Sequence, residues 1–353
     1  MKILASWSPG EIRAAAWGAH GLVDYALWRP GAPDGVGDTH RGRIAARVPA
    51  MAGAFVALEN CEGFLPDSES RAPEGTFLAV RITRAAQGGK GPRLAAADLP
   101  AGAGPPALLR RGPNPVERLL ATHPGAPVEV DDAGLAAMLR AVGARVRGTF
   151  TDAVEGEITV LESMSCGLSG GARMTISPTP ALVAIDVDLG GGTAARGEKG
   201  RLQMAANRGL LPELARQIRL RNLSGAIVVD LGGMALRARA QLAEGFAQAL
   251  AGDPLKPRFL GFSALGLAEI LRPRVHPPLH ELLRGPHAEG LRALRSVAPE
   301  RLVRLRAMPA IVAALHADGV ALRALAERCG WALAVVVDPG LAAPGWVLED
   351  VSG

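Results

Sequence analysis

Lysine is almost missing from this 353-residue chain: Lys2, Lys90, Lys199 and Lys256 are the only four among 39 Lys and Arg residues. Cysteine is scarce as well. Cys61, Cys166 and Cys329 are odd in number, widely spaced and contain no CxxC pair, which excludes a disulfide framework and a zinc clip built from cysteines. No uninterrupted apolar run approaches the length that crosses a bilayer, so no membrane partner is expected. The opening MKILASWSPGEI has no long apolar segment of the signal-peptide kind. A soluble, reducing, cytoplasmic setting is the expectation that follows.

What is present is arginine, with 48% hydrophobic and 21% charged residues, a globular rather than disordered balance. The formal net charge of +5 favours an anionic partner without demanding one. Arginine's planar fork suits phosphate, although its dominance is equally what a GC-rich coding sequence produces. The seven histidines show no metal-ligand spacing and read as solvated or turn residues.

The stretch from Ala181 to Met234 reads strand, glycine-rich turn, helix, strand. ALVAIDVD carries Asp186 and Asp188 at its end, and GAIVVDLGG carries Asp230. Between them, LPELARQIRLRNL keeps an apolar stripe beside Arg216, Arg219 and Arg221, a basic amphipathic helix. Two strand-end acids 44 positions apart (230 minus 186), joined through such a helix, can lie side by side and hold a hard cation through oxygen. Read by themselves, they are more often a capping acid and a turn acid, since strands often end in Asp.

These blocks carry a resemblance. SGGARMTISPTPALVAIDVDLGGGTAARG, ELARQIRLRNLSGAIVVDLGGM and FSALGLAEILRPRV, in that order, are similar to the catalytic core of the ribonuclease E/G family. The resemblance places Asp186 and Asp230 on that family's two metal-binding aspartates. Asp188 stands where the family has an Asn, and there it either joins the ion or crowds Asp186 with like charge. The implied activity is Mg2+-dependent endonucleolytic cleavage of single-stranded RNA, with Mn2+ acceptable in place of Mg2+. Asn207 matches an Asn of the family's helix segment, and Arg196 and Arg258 are candidate phosphate contacts in a chain where arginine is common everywhere.

A second block, HRGRIAARV, AGAFVAL, EGFLP and GTFLAVRITRAAQGGKGPRL, resembles the family's inserted oligonucleotide-binding barrel. Phe55 and Phe64 match its base-stacking aromatics, Lys90 lies in its Lys-Gly turn, and Arg43 takes the place of a basic residue. Stacking on rings while cations meet phosphate binds single strands of any sequence. Without the resemblance, both rings read as barrel core.

The implied fold is α+β with several subdomains. A ribonuclease H-like scaffold (1–37 and 113–165) holds an OB-type barrel (38–97) and a linker (98–112). A DNase I-like α/β catalytic subdomain (166–284) and a small C-terminal α/β domain (285–353) follow. Asp131 and Asp132 read as an N-cap pair for the helix GLAAMLRAV, and ALRARAQLAEGFAQALAG reads as one amphipathic helix.

Departures from the family are equally legible. No Arg-Thr motif for gripping a 5′-phosphate occurs in 98–150. LLRGPHAEGLRAL, with His287, stands where the family has its CPxC zinc link, so no zinc and no zinc-joined tetramer is expected; the resemblance implies a homodimer, with a monomer the open alternative. Gly233 replaces a second strand-end acid, and the family's supporting glutamates are largely absent, which thins the metal's surroundings. A weakened or inactive RNA-binding protein of the same fold is therefore the alternative reading. A metal-dependent phosphoesterase for small substrates is a further rival, with no pocket motif in its favour.

Overall fold

In the computed structural model, which describes residues 1–148, 150–190 and 199–351, alternating apolar residues build four sheets divided between two compact units. The architecture is mixed α+β. Among the described residues, no single helix is long and apolar enough to cross a membrane.

The first unit comprises Met1–Pro33, Asn114–Glu162 and the chain from Leu279 onward. Its larger sheet is the antiparallel meander Lys2–Ser8, Glu11–Gly18 and Gly21–Trp28, extended by the parallel strands Val128–Val130 and Arg145–Val146. Ile3, Ile12, Val116, Val130 and Leu135 form its core. The Pro115–Thr122 helix opens on a capping box, in which Asn114 and Glu117 satisfy one another's backbone N–H groups. The expected acidic N-cap pair divides its labour: Asp132 accepts from Leu135 N–H at 2.7 Å, while Asp131 accepts from Trp7 N–H at 2.8 Å.

Glu11, 4% exposed, binds Arg29 at 3.0 Å and Arg295 at 3.1 Å, tying the meander to the Pro286–Arg295 helix. The C-terminal sheet Ala334–Val337, Val303–Ala307 and Trp346–Asp350 packs with helices Pro309–Ala317 and Gly319–Cys329 in one core. His287 is bound to Asp318 at 2.8 Å rather than solvated, and the same Asp318 caps the Gly319–Cys329 helix.

The second unit comprises Asp34–Pro113 and Ser163–Pro278. Five strands close into an OB-like barrel: Thr39–Val48, Gly53–Ala57, Glu62–Pro66, Arg93–Ala96 and Phe77–Arg84, which pairs back onto the first. Ile44, Val56, Leu65, Val80 and Leu94 fill it. Closure removes the open edges that a short sheet would expose. The segment expected as a linker is partly strand, since Ala107–Arg110 pairs with Thr39–Val48. Asp38 closes the neck of the barrel by accepting from Arg111 Nη1 at 2.6 Å and Gly112 N–H at 2.7 Å. A Cβ on Gly112 would lie 2.6 Å from the Gly37 and Val36 backbone, so only glycine allows that approach.

The other sheet of this unit runs Ser165–Gly167, Arg173–Pro178, Leu182–Asp188, Gly225–Leu231, Ala268–Arg272 and Arg258–Phe262. Only its central pair, Leu182–Asp188 and Gly225–Leu231, is parallel. The Lys199–Leu220 helix covers one face through Leu210, Leu211, Leu214 and Ile218. It starts eleven residues before the apolar stripe (210 minus 199): good helix formers in RLQMAANR extend it, with Met204 packed on the same core and Asn207 buried. The expected helix after Met234 is instead broken into Leu236–Arg239, a tight turn at Ala240–Leu242, and Ala243–Leu250. Ala85 N–H donates to Val275 O at 2.8 Å between barrel and sheet, and Asp34, just ahead of the barrel, binds His276 at 2.6 Å, so that this histidine too is paired rather than solvated.

Candidate active site

Strand alternation sets the positions of the acids. Val183, Ile185 and Val187 point into the core under the helix, as do Ile227, Val229 and Leu231 on the neighbouring strand. Asp186, Asp188 and Asp230 therefore emerge on the opposite face, and all three are exposed. Parallel pairing puts Asp186 directly opposite Asp230, with backbones about 4.8 Å apart in the hydrogen-bonding direction. Both lie near the carboxyl ends of their strands, where α/β sheets keep their ligands.

Arginine enters this site from an unexpected position. Arg239 Nη1 donates to Asp230 Oδ1 at 2.8 Å and to the carbonyl of Gly266 at 2.7 Å. Its side chain is 10% exposed while that of Asp230 is 53% exposed. One oxygen of Asp230 is thus engaged, on a side chain that stays half exposed. Nothing in the sequence singles out Arg239 from the other arginines; its only signal is a position one turn into the helix after the acid-bearing strand.

Asp188 lies on the same face, two residues beyond Asp186. Its carboxylate accepts from the backbone N–H of Gly190 at 3.0 Å, an Asx turn that competes with ligation. Among the described residues, no group of three or more His, Cys, Asp or Glu side chains forms a metal cluster. Asn207 is fully buried and braces the turn after Asp230 by donating to the carbonyls of Gln203 (2.9 Å) and Gly232 (3.1 Å). Gly233 has φ +75°, and a Cβ there would lie 2.3 Å from the Gln203 amide. At Gly232 a Cβ would lie 2.8 Å from the Val187 carbonyl, whose oxygen accepts the Gly232 N–H at 3.0 Å. The glycines that replace an acid here thus serve a close backbone approach. Arg196 lies outside the described residues.

The donor set suits a hard cation. Two adjacent carboxylates with an open solvent side match Mg2+, which takes one or two carboxylates and keeps several waters. Soft-metal ligands are not gathered here among the described residues.

On the barrel, Phe55 and Phe64 are not core. They are paired across strands on the outer face, half-buried, edge to face at 5.8 Å between ring centres. Phe64 lies against Gly53, where a Cβ would come within 2.3 Å of its ring. Arg43 lies opposite Ala57, two residues along from Phe55 and so on the same face, and is exposed. Lys90 is exposed on the turn bridged by Gln87. Arg258 begins the sheet's outer strand, away from the acids.

Comparison with known proteins supports the resemblance over part of the chain. Residues 147–275 match the Ribonuclease E/G family. Ribonuclease E of Nostoc sp. is 37% identical over 116 residues, 33% of this chain and 17% of that protein. Ribonuclease E of Synechocystis sp. is 32% identical over 146 residues, 41% of this chain and 20% of that protein. Ribonuclease G of Escherichia coli K12 is 32% identical over 131 residues, 37% of this chain and 27% of that protein. The matched segment thus spans between 17% and 27% of the length of these curated relatives.

Proposed function

We propose that this chain, which residues 147–275 place in the ribonuclease E/G family, is a metal-dependent endoribonuclease acting on single-stranded RNA. The observation that carries the reading is the register of Asp186 against Asp230 on adjacent parallel strands. Asp186 and Asp230 would together hold Mg2+, or Mn2+ in its place. When bound, the ion supplies an acidified water and charge balance for an in-line displacement at phosphorus.

This chain's own residues do the rest. Arg239 fixes the Asp230 carboxylate by one oxygen, and Asn207 braces the turn behind it. Phe55 and Phe64 offer rings for base stacking, with Arg43 and Lys90 as nearby cations for phosphate. The assembly we favour is a homodimer without zinc.

Incubation of the purified protein with an unstructured A/U-rich RNA and Mg2+ tests this. Cleavage is expected, and an Asp186→Asn, Asp230→Asn double variant should lose it. Absence of cleavage, or equal cleavage by the variant, refutes the reading. One observation favours a second reading, an RNA-binding protein with little or no turnover: Arg239 already neutralises Asp230. Salt-dependent RNA binding without Mg2+-dependent cleavage would establish it.

A further inference from the structure

At the far end of the acid-bearing sheet, a cavity of about 560 Å³ opens between that sheet and the barrel of the same unit. Gly225, which starts the Asp230 strand, lines it. Five residue steps separate Gly225 from Asp230, roughly 17 Å along a strand. The lining holds six cations and no acid: Arg84 and Arg93 from the barrel, with Lys256, Arg258, Arg272 and Arg274 from the sheet.

Only Arg272 is neutralised there, by Asp253 at 2.7 Å. Among the described residues, the other five have no acidic partner. Arg84 Nε is buried with no hydrogen bond. Burial, reinforced by the charges of Arg93 and Arg274, holds the Arg84 guanidinium below its ordinary value, as expected of cations gathered without a counter-charge.

The cavity's shape depends on two backbone features. Gly225 has φ +84°, and a Cβ there would lie 2.4 Å from Arg274 Nε, so the guanidinium rests directly on the strand's first residue. Lys256 holds a left-handed φ of +50°, uncommon for a side chain of its length. The barrel's contribution is continuous with its aromatic pair. Register runs Phe55 to Phe64, Phe64 to Arg93, and Arg93 to Arg84, placing rings and guanidinium groups in one row across four strands.

We propose that this cavity seats a backbone phosphate of single-stranded RNA whose neighbouring bases stack on Phe64 and Phe55. The identity of the polymer rests on the ribonuclease reading; the cationic seat does not. A lone phosphate needs neither this volume nor an aromatic row leading to it, whereas a strand uses both. Binding this far from the acids anchors the strand without touching the bond that breaks.

The test measures binding of a fluorescent 5′-hydroxyl A/U-rich oligonucleotide by anisotropy, in EDTA, over a range of salt. The Arg84→Gln, Arg274→Gln double variant should bind about tenfold more weakly. Its log-affinity against log-salt slope should fall by about 0.7 for each phosphate of the single strand that no longer meets a cation. Gly225→Ala, which displaces Arg274, should move both quantities the same way; melting curves confirm that each variant is folded, and the arginine pair carries the test if Gly225→Ala is not.

Unchanged affinity and slope in the double variant, beside a clear loss in Phe64→Ala, would show that RNA is held by the rings alone and overturn the proposal. Displacement of the oligonucleotide by millimolar inorganic phosphate, with no gain from lengthening it, would assign the cavity to the free ion and overturn it too. A slope that falls in the double variant while the wild type never cleaves leaves the seat standing and removes the nuclease reading. Cleavage with an unmoved slope does the reverse.

Discussion

Replacing Arg239 by Met should tighten divalent-metal binding. In the structure its Nη1 lies 2.8 Å from Asp230 Oδ1, so a cation placed on the other oxygen of that carboxylate meets a fixed positive neighbour. At about 5 Å, a divalent ion and a guanidinium repel by about 1.7 kcal/mol in water and about 6.6 kcal/mol at an effective dielectric of 20. Asp230 is 53% exposed, which puts the site near the watery limit. Relief of about 1–2 kcal/mol corresponds to roughly 5- to 30-fold tighter binding. The substitution also strips the Gly266 carbonyl of its donor, a loss of about 1–3 kcal/mol of stability. Calorimetric titration with Mn2+ reads the first effect directly, without RNA and without turnover. Arg239→Lys keeps the charge and should keep the weaker affinity. Equal or weaker Mn2+ binding by a folded Arg239→Met variant refutes the reasoning, and would mean that fixing the Asp230 carboxylate through Arg239 outweighs the repulsion between the two cations.

Two further expectations concern stability. Arg272 and Asp253 are 3% and 4% exposed, so Arg272→Met strands a buried carboxylate at a cost of about 3–5 kcal/mol. Melting of the unit should fall by roughly 6–20 °C for its size, and a shift of only a degree or two would show that water reaches Asp253. His40 and His280 are both pushed below the ordinary value of 6.5, first by burial, and each keeps a buried Nδ1 without a hydrogen bond. Their folded forms resist protonation, so this stability is complete above pH 6.5 and is lost as pH falls below it. Urea midpoints measured from pH 7 to pH 5 should decline less steeply in a His40→Asn, His280→Asn variant than in the wild type; parallel declines would contradict the assignment.

Much of the site could be read from local pattern because local pattern causes it. Alternation in LVAIDVD and GAIVVDL dictates that apolar positions share one face, so the acids must share the other. The same logic puts Phe55 and Phe64 on one side of their hairpin. What escaped was set by long-range approach or by backbone competition. Arg84 and Arg274 are 190 positions apart (274 minus 84) and meet only because the barrel docks on the sheet through Ala85 and Val275. Asp188 is drawn to the Gly190 amide, a turn interaction that no ligand pattern reveals. Ala107–Arg110 is four residues of strand inside an Ala/Gly/Pro stretch, and it gains its partner only from Thr39–Val48 once the barrel has closed.

The carboxylate of Asp38 has a consequence for how such a chain changes over time. The polypeptide departs toward the barrel beside Gly37 and comes home at Gly112, with the two backbones touching. A module that exits and returns through a single doorway can be deleted, enlarged or traded without re-threading anything around it, since the flanking residues already stand next to each other. Everything between residues 39 and 110 is therefore a cassette, and Gly37, Asp38 and Gly112 are its hinge-pin.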